Sequence, residues 1–129
     1  IKYEKKQAEV NIRAVGEKEM LYLNNTFRKT AALTNILSFP ANLPKEVEIN
    51  LLGDIAICAP VVQEEVTKLG KLEKAHWAHL TVHGMLHLVG YDHISEKDSI
   101  KMESVEISVL ANLGISNPYL ENTVPEYFS

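Results

Sequence analysis

The chain has 129 residues, 46% hydrophobic and 23% charged, a balance that suits one globular domain and argues against disorder. No apolar run approaches the ~20 residues of a membrane-spanning helix, and no secretion-signal pattern is present. A net charge of −4 counts against bulk coating of nucleic acid, which usually takes a basic excess, but is compatible with a local basic groove.

Ile1 rather than Met opens the sequence, which fits a trimmed N-terminus. Val10, Ile12 and Ala14 alternate with Asn11 and Arg13, predicting a half-buried strand that ends at Gly16. From Glu17 to about Lys29, Met20, Leu23 or Asn24, and Phe27 recur at helical spacing. Glu17 and Glu19 near the start and Arg28 and Lys29 near the end match the helix dipole. Thr34 to Phe39 predicts a short strand stopped by Pro40, and residues 40–48, with two prolines and several charges, predict a loop.

A second apolar run covers Ile49 to Cys58, broken by Gly53-Asp54 and ended by Pro60. Cys58 is the only cysteine, so no intrachain disulfide exists, and its apolar neighbours predict a buried, inert thiol consistent with a reducing cytoplasm. A helix is predicted from Pro60 to Leu69, and a stronger one from Glu73 to Val89, with Gly90 as a left-handed terminator. Ser95 and Asp98 form an N-cap pattern. Met102, Val105, Val109 and Leu113 follow as one apolar stripe, with Leu110 beside it and Gly114 as the closing cap. From Ser116 the tail, with Pro118 and Pro125, reads as irregular.

His83 and His87 lie four residues apart on the predicted helix, so both imidazoles project from one face. Gly90 then lets the chain turn back and deliver His93 as a third ligand. Three nitrogens with an open fourth position make a catalytic zinc site, whereas structural sites are usually closed by four ligands including thiolates. One zinc ion is expected, with another divalent transition metal as the alternative. His76 would stand ~10 Å from His83 along the helix. It and His79 are expected to serve a supporting, substrate or helix-surface role rather than to touch the metal. The element order predicts an α+β fold: one domain over 1–129, a small mixed sheet against helices, a central metal-binding helix and an irregular tail over 116–129.

The spacing HxxxHxxGxxH is that of metzincin proteases, but Gly84 stands where their glutamate general base would be, which weighs against peptide hydrolysis. The full run HGMLHLVGYDH instead resembles the YbeY family of bacterial endoribonucleases and rRNA maturation factors. Leu23-Asn24 with Phe27-Arg28 is similar to that family's LN-x-x-[YF]-R segment, and Thr34 to Pro40 to its T-[DN]-[VI]-L-S-F-P segment. Leu52 to Cys58 is similar to its L-G-D-I-x-I-C strand, and the helix around Met102, Glu103 and Glu106 also fits, so the resemblance spans roughly residues 9–115. Four linked motifs in one order make it specific.

The resemblance implies a cytoplasmic, zinc-dependent, single-strand-specific endoribonuclease. It would act on ribosomal RNA and the ribosome, in 16S rRNA 3′-end maturation and quality control, without a membrane partner. The family's histidine triad maps onto His83, His87 and His93 and its important arginine onto Arg28; against the family pattern, the extra N-terminal helical segment is expected to be short or absent in this sequence. The metal would activate water or polarise a phosphodiester oxygen while Arg28 binds the phosphate. Position alone would make Arg28 a solvated charge at a helix end. Ser38, Asp54 (a turn or ligand-orienting carboxylate) and Asp92 (a cap beside His93) are weaker candidates, and no residue stands out as general base. Two alternatives stay open: a peptide or amide hydrolase with metzincin-like spacing, and a non-catalytic ribosome-assembly factor with structural zinc.

Overall fold

The computed structural model describes residues 8–41, 43 and 51–120. In chain order the elements are β1 (Glu9–Val15), α1 (Glu17–Arg28), β2 (Ile36–Pro40), β3 (Leu51–Cys58), α2 (Ala59–Leu69), α3 (Glu73–Leu88) and α4 (Glu96–Asn112). This is the expected order of strands and helices, and the fold is α+β. Most of the loop expected at 40–48, the first residues of the run from Ile49, and residues 121–129 of the tail lie outside the described residues.

The strands form a mixed sheet in the order β1-β3-β2, with β1 parallel and β2 antiparallel to β3. The central strand is covered on both faces, which explains why β3 reads as a nearly continuous apolar run rather than an alternating one. On one face Ile36, Ile55 and Ile57 pack with Val62 of α2 and with Leu80 and Leu88 of α3. On the other, Val15, Leu37, Ala56 and Cys58 pack with Met20 of α1. Each large apolar side chain so buried contributes about 1.5–3 kcal/mol. Cys58 is fully buried, and burial pushes its thiol pKa up, as an inert core cysteine requires.

Three expectations need correction. Gly53-Asp54 does not interrupt β3; the strand runs through, with a register shift opposite Glu9 and Val10. A Cβ on Gly53 would come within 2.3 Å of the Phe39 carbonyl oxygen, so glycine here admits the neighbouring backbone rather than breaking the strand. β1 is more exposed than half-buried: Asn11, Ile12, Arg13 and Ala14 are all exposed, because β1 is an edge strand and α1 packs near its Val15 end. The buried line of α4 is Met102, Glu106 and Leu110, whereas Val105 and Val109 are half-buried and Leu113 is exposed. A carboxylate thus occupies the middle of an otherwise apolar stripe.

Candidate functional site

Helix α3 supplies two of the histidines. Its termination follows local rules: Gly90 adopts φ +107°, its N–H donates to the His87 carbonyl at 3.1 Å, and the Tyr91 N–H donates to the Leu86 carbonyl at 2.9 Å. Glycine meets this left-handed position without the penalty a Cβ would bring. The reversed chain then carries His93 back towards α3. There the His93 N–H donates to Asp92 Oδ1 at 2.7 Å, and Ser99 Oγ donates to the His93 carbonyl at 3.2 Å. Ser95 caps α4 by accepting from the Asp98 N–H at 3.1 Å, as expected. Asp92 therefore does cap the turn.

The ring nitrogens of His83, His87 and His93 gather within 4.8 Å of one another, so the group could hold a metal ion. His87 Nδ1 lies 3.1 Å from the Tyr91 carbonyl oxygen, which only accepts, so this nitrogen carries the proton. His83 Nδ1 lies 2.5 Å from Glu106 Oε2 and likewise donates to it. Both Nε2 atoms therefore present lone pairs, and they stand 3.2 Å apart. Two such lone pairs repel unless a proton or a cation lies between them. Tetrahedral zinc, with Zn–N bonds of about 2.0–2.1 Å, keeps ligand atoms about 3.3 Å apart, so the pair fits that ion. The pKa of His87 is lowered by burial and by its neighbours His83 and His93, which favours the neutral, ligating imidazole.

Glu106 is the anchor behind this pair. It is fully buried, accepts from His83, accepts from the Tyr119 hydroxyl, and has His79 Nε2 at 3.5 Å from Oε1. Burial alone would raise its pKa; hydrogen bonds from His79, His83 and Tyr119 outweigh it and hold the group at about 2. A carboxylate therefore persists in the core and fixes the tautomer of His83, the usual arrangement behind a ligating histidine. Tyr119 also packs its ring edge-on to His79, 5.2 Å between centroids, and its phenol pKa is raised by burial and by Glu106.

His79 thus takes a supporting place, and its helix-surface alternative is excluded by burial. His76 belongs to a separate buried network: its Nε2 is 2.8 Å from Glu65 Oε1, and Asn35 Nδ2 donates to both Glu65 oxygens at 3.2–3.3 Å. That network ties α2, α3 and the start of β2 together. The role suggested for Asp54 falls instead to Glu106, since Asp54 is an exposed residue inside β3 rather than in a turn. Glu106 and Tyr119 are the site residues that pattern reading left without a role. The available signal was a glutamate at the helical position between Met102 and Leu110, where an apolar residue belongs.

Gly84 has a spatial reason. A Cβ there would meet Ile36 Cδ1 at 2.9 Å, Ser38 Oγ at 3.1 Å and Ile55 Cδ1 at 3.2 Å, so glycine lets α3 press against the sheet. Ser38 Oγ uses the approach to donate to the Gly84 carbonyl at 3.2 Å. Position 84 faces the core, and a glutamate general base of protease type has no room there.

Arg28, at the last residue of α1, is exposed but held. Its Nη2 donates to the Ser38 carbonyl at 2.5 Å, and its guanidinium lies 5.8 Å from the centroid of the Phe39 ring. Arg28, His87 and His93 line one cavity of about 720 Å³, together with Asn24, Thr34 and Ser38. The cavity therefore joins a cation to the exposed side of the histidine cluster. Asn24 Nδ2 braces the wall by donating to the Ala32 carbonyl at 2.7 Å.

Among known proteins, the family profile described as "Endoribonuclease YbeY" matches residues 1–114. Proteins named Endoribonuclease YbeY from Methylococcus capsulatus and Colwellia psychrerythraea are 53% and 50% identical to this chain over 118 and 113 residues. They cover 92% and 88% of this chain and 79% and 73% of their own lengths. The solution structure of TM1509 from Thermotoga maritima is similar at a TM-score of 0.53 and 27% identity, over 93% of this chain and 79% of that one.

Proposed function

The chain belongs to the YbeY endoribonuclease family, and from that premise we propose that it is a zinc-dependent endoribonuclease cutting single-stranded RNA at the His83, His87 and His93 site. The observation that carries this proposal is the shared cavity in which the histidine cluster meets Arg28. Zinc bound by the three histidines would supply Lewis acidity towards a phosphodiester and the water that attacks it. Arg28 binds the phosphate: one of its N–H groups is committed to Ser38, and the rest of the planar fork remains for phosphate oxygens. Glu106 holds His83, and the Tyr91 carbonyl holds His87, so the ligand nitrogens are oriented before substrate arrives.

A cavity of about 720 Å³ lies in the range of small-ligand sites, which suits a nucleotide or two of an unpaired strand. The cellular role we propose is maturation of ribosomal RNA, including the 16S 3′ end, and ribosome quality control in the cytoplasm. This rests on family membership. Cleavage of single-stranded RNA by the wild type, Arg28→Ala and His87→Ala tests the site: the variants should lose activity, and equal cleavage by all three would remove the nuclease from this cavity. Normal rRNA processing in cells carrying the same variants would favour a non-catalytic assembly factor instead.

A further inference from the structure

Strand register places a second feature next to the proposed site. Across the sheet, Asn11 pairs with Asp54 and Asp54 with Phe39; one row further on, Arg13 pairs with Ala56 and Ala56 with Leu37. Side chains alternate along each strand, so these rows share the face on which α1 packs. Met20 of α1 packs with Val15, Ala56 and Cys58, at the far end of that face. The row Asn11–Asp54–Phe39 instead borders an open concavity of about 910 Å³, also walled by Phe27.

Phe27 stands edge-on to Phe39, with centroids 5.4 Å apart and planes at 66°, and is 60% exposed. The concavity shares Arg28, Ser38 and Pro40 with the histidine cavity, so the two adjoin at the β2 edge with Arg28 bordering both. Its charges are mixed. Arg13 is paired with Glu19 at 2.7 Å, and Asp54 would repel a phosphate. Aromatic faces bordered by an amide and a carboxylate match a nucleobase better than a sugar–phosphate backbone.

We propose that this concavity is a subsite for one unpaired nucleobase, stacked on Phe27 with its polar edge towards Asn11 and Asp54, while Arg28 holds the adjoining phosphate. The subsite rests on the RNA-cleaving function proposed above. Every base has a face to stack, so Phe27 supplies affinity with little selectivity. An ionised carboxylate only accepts hydrogen bonds; the cytosine amino group offers it two donors, whereas uracil offers one N–H set between two carbonyl oxygens that repel it, so Asp54 favours cytosine over uracil.

The test uses the zinc-loaded protein and a short single-stranded RNA with cleavage-resistant phosphorothioate links, carrying 2-aminopurine at each position in turn. Stacking should quench the probe at one position, and Phe27→Ala should abolish that quenching and weaken binding about 5- to 100-fold. Phe27→Trp should restore both. Asp54→Asn should keep the quenching but narrow the preference for cytosine over uracil at the same position. Unchanged quenching and affinity in Phe27→Ala, with Arg28→Ala still impaired in cleavage, would overturn the subsite and leave the nuclease intact. A wild type that neither binds nor cuts single-stranded RNA would overturn the nuclease and the subsite together.

Discussion

Replacing Glu106 by Gln changes the charge behind His83 and almost nothing in shape. The carboxylate accepts from His83 and Tyr119 and lies 3.5 Å from His79, all within the core. An amide oxygen can still accept from His83, but its NH2 must then face Tyr119 and His79, and charge-assisted bonds become neutral ones of about half the strength. The fall in the Glu106 pKa from 4.5 to about 2 corresponds to roughly 3 kcal/mol favouring the folded carboxylate. Because the folded pKa is depressed, that stability is present above pH 4.5 and is lost as the pH falls towards 2. In metal-free protein, the wild type should therefore lose stability through this window, and Glu106→Gln should start less stable and show a shallower acid limb. Zinc affinity should drop by about 10-fold, the lower end of the effect of altering a ligand's hydrogen-bond partner, because the bond to His83 is weakened and not removed. Urea unfolding in chelator as a function of pH measures the first effect, and competition against a chromophoric chelator measures the second. Wild-type zinc affinity in Glu106→Gln would refute the claim that the charge of this carboxylate strengthens His83 as a ligand.

Arg28→Lys keeps the charge but loses the planar fork, so it should recover only part of the roughly 100-fold or greater loss expected for Arg28→Ala in single-turnover RNA cleavage. Chelating the metal should lower the melting temperature: zinc at about 100 times its Kd contributes about 2.7 kcal/mol, or roughly 10 °C for a domain of this size, restored on adding zinc back. Gly84→Ala gains about 1 kcal/mol of helix propensity but crowds Ile36, Ser38 and Ile55 at 2.9–3.2 Å, an overpacking cost of about 1–3 kcal/mol. Thermal melts should place it between neutral and about 2 kcal/mol destabilised, with Gly84→Val clearly worse. A Gly84→Val protein as stable as the wild type would mean that the helix does not need this close approach.

The features legible in the sequence are those built from neighbouring residues. A four-residue step puts His83 and His87 on one face, Gly90 reverses the chain, and Ser95 caps the next helix, each through backbone geometry spanning a few positions. Those rules act the same way in any fold, which is why the triad and the element order could be read before the structure. Family motifs extended that reading to Arg28, whose position alone looked like an ordinary helix end.

What the chain builds at a distance had no such local signature. Glu106 meets His83 across 23 positions and Tyr119 meets His79 across 40, so the carboxylate looked like a flaw in an apolar stripe and the tyrosine like part of a loose tail. Periodicity says which face of a helix is buried but not what it is buried against. The order β1-β3-β2 decided that Arg28 stands at the histidine cavity, and the pairing register decided that Asn11, Asp54 and Phe39 share one open row. The sequence by itself determined the histidine group that could hold a metal; only tertiary packing determined what orients it and what lies beside it, because burial is non-directional and partners are chosen when the elements dock.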